Sequence, residues 1–137
     1  MKKALVGILA AAFVVAAIGL VRAADKSRVY YVCNCGPACT CNSFSKTPGK
    51  CTCGKELAAM HLLEIENGRK AVFCTCGAEC TCERSKTDPD KCGCGKPVKI
   101  VDLKGKYVCA CGADCKCNSI SDKPGKCTCG KEMKQVI

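Results

Sequence analysis

The chain has 137 residues, 18 of them cysteine, with no tryptophan, three phenylalanines and a formal net charge of +10. So few large apolar side chains exclude a core of ordinary size. With structural units of about 35–40 residues, well short of the ~70 at which apolar burial alone supports a fold, cysteine chemistry has to provide the scaffold. The acidic residues are scattered and form no paired-carboxylate site, and no cysteine pair is set apart beside a base, so an enzyme is not expected.

Met1, Lys2 and Lys3 make a positive start, residues 4–20 an unbroken apolar stretch and Val21-Arg22-Ala23 a small-residue cleavage site. Residues 1–23 are therefore expected to be a signal peptide, which places the remainder outside the cytoplasm, periplasmic or secreted. The apolar stretch of 17 residues is short and rich in Ala, Val and Gly, so no stable membrane span is expected after cleavage. Without Lys2, Lys3 and Arg22 the chain carries 19 basic against 12 acidic residues, a net charge of +7. Basic charge alone would suit nucleic acid. The lysines, however, are spread beside the cysteines, and export removes that client, so no nucleic-acid partner is expected. If all 18 thiols ionised the net charge would be −11, and six divalent or twelve monovalent ions would return it to +1. Lysines beside thiols also lower their pKa.

From residue 30 onward one pattern, C-x-C-G-x-x-C-x-C-x9-C-x-C-G-K, occurs three times and contains every cysteine. The first copy (30–57) holds Cys33, Cys35, Cys39, Cys41, Cys51 and Cys53. The second (71–98) holds Cys74, Cys76, Cys80, Cys82, Cys92 and Cys94, and the third (107–133) Cys109, Cys111, Cys115, Cys117, Cys127 and Cys129. Identical internal spacing in three copies marks a tandem repeat. Between the first two copies, residues 61–66 and 69–73 flank Asn67-Gly68, a dipeptide suited to a type I′ turn, which predicts a β-hairpin. Residues 56–63 also admit a short helix. Residues 98–103 and 106–108 flank Lys104-Gly105 and predict a second hairpin before the third copy. The expected fold class is a small Cys-rich, mostly irregular chain with short β-hairpins, its three modules stabilised by metal or by disulfides.

A Cys-x-Cys pair on extended backbone puts both sulfurs on one side, where they can ligate one ion or bridge two. Each outer pair is followed by glycine (Gly36, Gly54, Gly77, Gly95, Gly112 and Gly130), which lets the backbone turn its amides toward sulfur. All-thiolate sites select soft ions, Zn(II) or Cu(I), with iron–sulfur clusters ranking behind. Six sulfurs exceed by two what one tetrahedral zinc needs, so one ion with a spare pair, two bridged ions or a Cu(I) cluster all remain open. Disulfides are the alternative. Small exported chains with an even cysteine count usually form them, and six cysteines allow 15 pairings. A bond within one Cys-x-Cys would strain its ring, whereas pairing between Cys-x-Cys units would not. His61, the one histidine, lies between copies and is expected exposed, while Met60 and Met133 are expected to pack on the hairpins.

Tyr107, Cys109, Pro124-Gly125-Lys126-Cys127, Cys129-Gly130 and Met133 resemble the short heavy-metal-binding domain of copper and silver transport proteins. The first copy is similar through Tyr31, Cys33, Pro48-Gly49-Lys50-Cys51, Cys53-Gly54 and Leu57, and the second less so, with Asp88-Pro89-Asp90-Lys91 in place of Pro-Gly-Lys. The domain's Met-His pair is missing, its Cys-x-x-Cys is shortened to Cys-x-Cys, and Lys55, Lys96 and Lys131 stand where a Met would follow glycine. The cysteine content is also similar to that of metallothioneins. The resemblance implies soft-metal handling in the bacterial envelope, with a metal transporter as the expected protein partner.

Overall fold

A computed structural model of the chain describes residues 26–36, 38–111 and 117–137. The expected signal peptide, 1–23, and the candidate ligand Cys115 lie outside the described residues. Among those described, no helix is long and apolar enough to cross a membrane. Among the described residues, after a single 3-10 turn at Lys26–Arg28, the regular structure is eight short strands: β1 (Val29–Cys33), β2 (Phe44–Ser45), β3 (Leu57–Glu66), β4 (Lys70–Cys74), β5 (Val98–Asp102), β6 (Tyr107–Cys109), β7 (Ile120–Ser121) and β8 (Met133–Gln135). All pairings are antiparallel, in a five-stranded sheet ordered β2-β1-β3-β4-β5 and a three-stranded sheet ordered β7-β6-β8.

The strand β3 decides this topology. Its first half pairs with β1, from Cys33 opposite Leu57 to Val29 opposite His61, and its second half pairs with β4, from His61 opposite Cys74 to Glu66 opposite Lys70. Ten extended residues thus fuse the first two copies into one sheet. A short helix at 56–63 is not formed, because the segment is drawn into strand pairing, with β1 over 57–61 and with β4 from His61 onward. Asn67 (φ 52°) and Gly68 (φ 65°) close the β3–β4 hairpin in the left-handed conformation that a type I′ turn requires.

The second expected hairpin does not exist. Gly105 (φ 80°) does turn the chain, and Lys106 N donates to Leu103 O at 2.9 Å. However, β5 stays with β4, and β6 leaves for the other sheet to pair with β7 and β8 of its own copy. The turn is a crossover between sheets.

The two sheets share one apolar core, larger than the composition suggested. Tyr30 and Val32 from β1, Met60 and Leu62 from β3, Ala71 and Phe73 from β4, Val101 and Leu103 around β5, Val108 and Ile120 from the third copy and Val136 just after it form a single buried cluster. Strand alternation selects these residues, since those two apart face the same side. A bulge at Leu63 resets that alternation: Leu62 opposes Phe73 but Glu64 opposes Val72, so Ile65 packs on the common core while Leu63 turns to the opposite face. Tyr30, Phe44 and Phe73 meet ring to ring at centroid distances of 5.7–6.2 Å. Met60 packs in this core as expected, and Met133 lies on β8 opposite Cys109. His61 is buried rather than exposed, held where β3 passes between β1 and β4.

Candidate metal centre

Around the last Cys-x-Cys of each copy the backbone hydrogen bonds repeat one for one. In each copy the last Cys-x-Cys-Gly-Lys closes into a knuckle. Cys51 N donates to Lys55 O and Gly54 N to Cys51 O; Cys92 and Gly95, and Cys127 and Gly130, do the same, all at 2.8–2.9 Å. The closing glycines take φ values of 82–84°, a conformation that disfavours any other residue. A further bond anchors the following strand: Leu57 N to Gly49 O, Val98 N to Asp90 O and Met133 N to Gly125 O. The first Cys-x-Cys leaves the end of β1, β4 or β6. Its glycine turns the chain back, with Cys39 N donating to Gly36 O at 3.0 Å and Cys80 N to Gly77 O at 3.3 Å.

These turns bring sulfurs together. Within each of four sets, Cys33/Cys35/Cys39/Cys41, Cys33/Cys41/Cys51/Cys53, Cys74/Cys76/Cys82/Cys92/Cys94 and Cys109/Cys111/Cys117/Cys127/Cys129, all Sγ atoms lie within 4.8 Å of one another. Two thiolates on one tetrahedral zinc, with bonds of about 2.3 Å, sit roughly 3.8 Å apart. Cys33 to Cys53 at 3.6 Å, Cys76 to Cys92 at 3.5 Å and Cys109 to Cys129 at 3.7 Å match that spacing. Others approach more closely, with Cys92–Cys94 and Cys109–Cys127 both at 2.8 Å. Amides within three Cys-x-Cys pairs point at sulfur, Cys76 N to Cys74 Sγ, Cys82 N to Cys80 Sγ and Cys129 N to Cys127 Sγ, at 3.4–3.5 Å, the middle one in a pair that no glycine follows. His61 belongs to none of the four sets.

Not all cysteines are placed alike. Cys35 and Cys39 are joined by a disulfide, a pairing between two Cys-x-Cys units, and Cys111 is disulfide-bonded as well. Cys80 stands outside the five-sulfur set of its copy, 3.3 Å from Cys74. In the second copy the segment that pairs with β1 or β6 elsewhere is displaced by β3. Arg84 there bridges to Cys92, and Gly93 N donates to Glu83 O at 2.8 Å.

The groups share protons unevenly. Burial, followed by hydrogen bonds with Cys51 and Cys53, pushes the Cys33 thiol up to about 12. Cys51 is brought down to about 5 by the Cys53 backbone, the Ser43 side chain and Cys33. Ser43 is a contributor that the spacing pattern did not single out. Burial pushes Cys74 up, and Cys76 up to about 12. Cys94 falls to about 6 through hydrogen bonds from Cys76 and Cys92. In the third copy burial raises Cys109 to about 12, while the Cys109 and Cys129 thiols lower Cys127. One knuckle sulfur per copy is thus held toward the thiolate, first by the Cys53 backbone in the first copy and by hydrogen bonds with neighbouring cysteine side chains in the second and third. A soft cation arriving there replaces the protons of the neighbouring thiols.

The cysteine sets can hold metal ions or form disulfides, and both chemistries fit the donors present. Compared with family models, with curated proteins and with solved structures, the chain matches none.

Proposed function

We propose that this is an exported, non-enzymatic protein of the bacterial periplasm or exterior whose three tandem modules, 30–57, 71–98 and 107–133, sequester or buffer soft metal ions. The observation that carries this reading is the convergence of four or more sulfurs within 4.8 Å in every copy, with no carboxylate or histidine among them. All-sulfur donor sets favour Zn(II) or Cu(I) over hard ions, and iron–sulfur clusters rank behind them. Motif likeness to the heavy-metal-binding domains of copper and silver transport proteins supports the same class. It makes an envelope metal transporter the natural protein partner. The Cys35–Cys39 disulfide favours a second reading, a stapled repeat that presents its sheets to another envelope protein.

Cobalt(II) titration of the chain separates the two. Metal binding is expected to produce the intense near-ultraviolet sulfur-to-cobalt band and the visible bands of tetrahedral thiolate coordination, both removed by added zinc. A colourless titration in a chain whose cysteines are all oxidised would instead establish the stapled repeat.

A further inference from the structure

Numbered in order within a copy, the first, fourth, fifth and sixth cysteines are Cys33, Cys41, Cys51 and Cys53; Cys74, Cys82, Cys92 and Cys94; and Cys109, Cys117, Cys127 and Cys129. In every copy these four sulfurs fall within one mutually close set. The second and third positions behave differently. Cys35 and Cys39 are disulfide-bonded to each other, and Cys111, the second position of the third copy, is disulfide-bonded too. In the second copy both positions, Cys76 and Cys80, are thiols.

The first copy contains two overlapping four-sulfur sets, and both include Cys33 and Cys41. The disulfide lies directly against this shared pair, with Cys39 Sγ 3.7 Å from Cys33 Sγ and Cys35 Sγ 3.9 Å from Cys41 Sγ. The turn closed by Cys39 N on Gly36 O holds the bonded residues at a Cα separation of 5.3 Å, within the range that a disulfide spans. The loop that the bond closes, 35–39, lies outside β1 and the knuckle, which supply Cys33, Cys51 and Cys53.

We propose that the Cys35–Cys39 pair is a redox switch on metal capacity, resting on the metal-binding reading above. As a disulfide it leaves Cys33, Cys41, Cys51 and Cys53 as one four-thiolate site for one tetrahedral ion. As a dithiol it completes the second set, and a second ion binds between Cys35 and Cys39 with Cys33 and Cys41 as bridging thiolates. Each ion then has two terminal and two shared sulfurs, the tetrahedral complement of a soft d10 ion.

The reductant is a dithiol. One of its thiolates attacks a sulfur of the Cys35–Cys39 bond, which breaks as a mixed disulfide forms, and its second thiol displaces the protein sulfur. Two electrons and two protons end on Cys35 and Cys39, and the carrier leaves as its own disulfide. The incoming divalent ion then displaces those two protons.

The test uses the full chain and zinc alone, counted by native mass spectrometry, with the disulfides mapped on peptides. Zinc is counted in the disulfide form, and again after anaerobic reduction by a dithiol that is removed before loading. Reduction is expected to raise the count by at least one ion per chain. Cys35→Ser with Cys39→Ser is expected to gain one ion fewer than the native chain on reduction. Cys51→Ser with Cys53→Ser is expected to be one ion short when oxidised and to keep the whole gain. A native count unchanged by reduction, or an equal gain in the Cys35/Cys39 variant, would overturn the switch while leaving metal binding in place. No zinc in either redox state would overturn the switch together with the zinc-binding reading on which it rests.

Discussion

Arg84 Nη1 donates to Glu64 Oε1 at 2.5 Å and lies 3.6 Å from Glu66 Oε1, tying the cysteine loop of the second copy to the strand that continues out of the first. Glu64 is 45% exposed, so solvent weakens the pair, and such pairs contribute about 0.2–1 kcal/mol. Arg84 Nε also donates to Pro89 O at 2.8 Å, within the loop itself. Arg84→Ala is therefore expected to lower the unfolding free energy of the metal-loaded protein by about 1–2 kcal/mol in denaturant titration. Arg84→Lys, which cannot fork to both partners, is expected to recover only part of the loss. Full stability in the alanine variant would mean that the cysteines alone hold the loop.

Phe73 is fully buried and touches both Tyr30 and Phe44 from the other copy in its sheet. Phe73→Ala is expected to cost about 3–5 kcal/mol. Because its cluster includes Val108, Ile120 and Val136, the loss is expected to appear as one lowered thermal transition for the whole chain in calorimetry. A transition that splits, with the third copy melting at its original temperature, would show that the shared core does not couple the copies.

The β3–β4 hairpin was legible because Asn67-Gly68 is local turn chemistry, and the cysteine groups because their spacing repeats. The crossover at Lys104-Gly105 was not. Apolar strands on both sides of a glycine turn look the same whether they pair with each other or with distant partners, and β6 finds β7 and β8 only through its own copy. The core was underestimated by counting large residues instead of aligning them. Val32, Phe73 and Val108 each stand immediately before the first cysteine of a copy, and that repeat was the available signal. Nothing local distinguishes Cys35–Cys39 from the other pairings six cysteines allow, so the disulfide could be learned only from the fold.

Cys94 is exposed, and its thiol is lowered from 9.0 to about 6 by hydrogen bonds from Cys76 and Cys92. In reduced, metal-free protein it is expected to alkylate first, with a rate that rises through about pH 6, while Cys76 and Cys82, both raised to about 12, stay slow at neutral pH. A depressed folded pKa means that the thiolate stabilises the fold above the ordinary thiol value. That contribution declines as pH falls below 9 and is gone once pH has passed through about 6. Peptide mapping after timed iodoacetamide labelling checks the order. Equal rates at all three cysteines would contradict it.

Chelation should not unfold the chain uniformly. Under the proposed metal-binding reading the knuckles, closed only by short backbone hydrogen bonds, depend on ligated sulfur to stay formed, whereas β3 and β4 are also held by the apolar core. Hydrogen exchange after metal removal is expected to show lost protection at Cys51, Gly54, Cys92 and Gly95 and retained protection at Leu62 and Phe73. Loss at all six together would show that metal supports the core as well.

The most direct measurement is native mass spectrometry with elemental analysis on protein taken from its own compartment under anaerobic conditions. Zinc or copper bound in the chain, with every metal-site thiol reduced in the protein mass, is the expected result. A metal-free chain whose cysteines are all paired in disulfides would contradict the metal-thiolate reading.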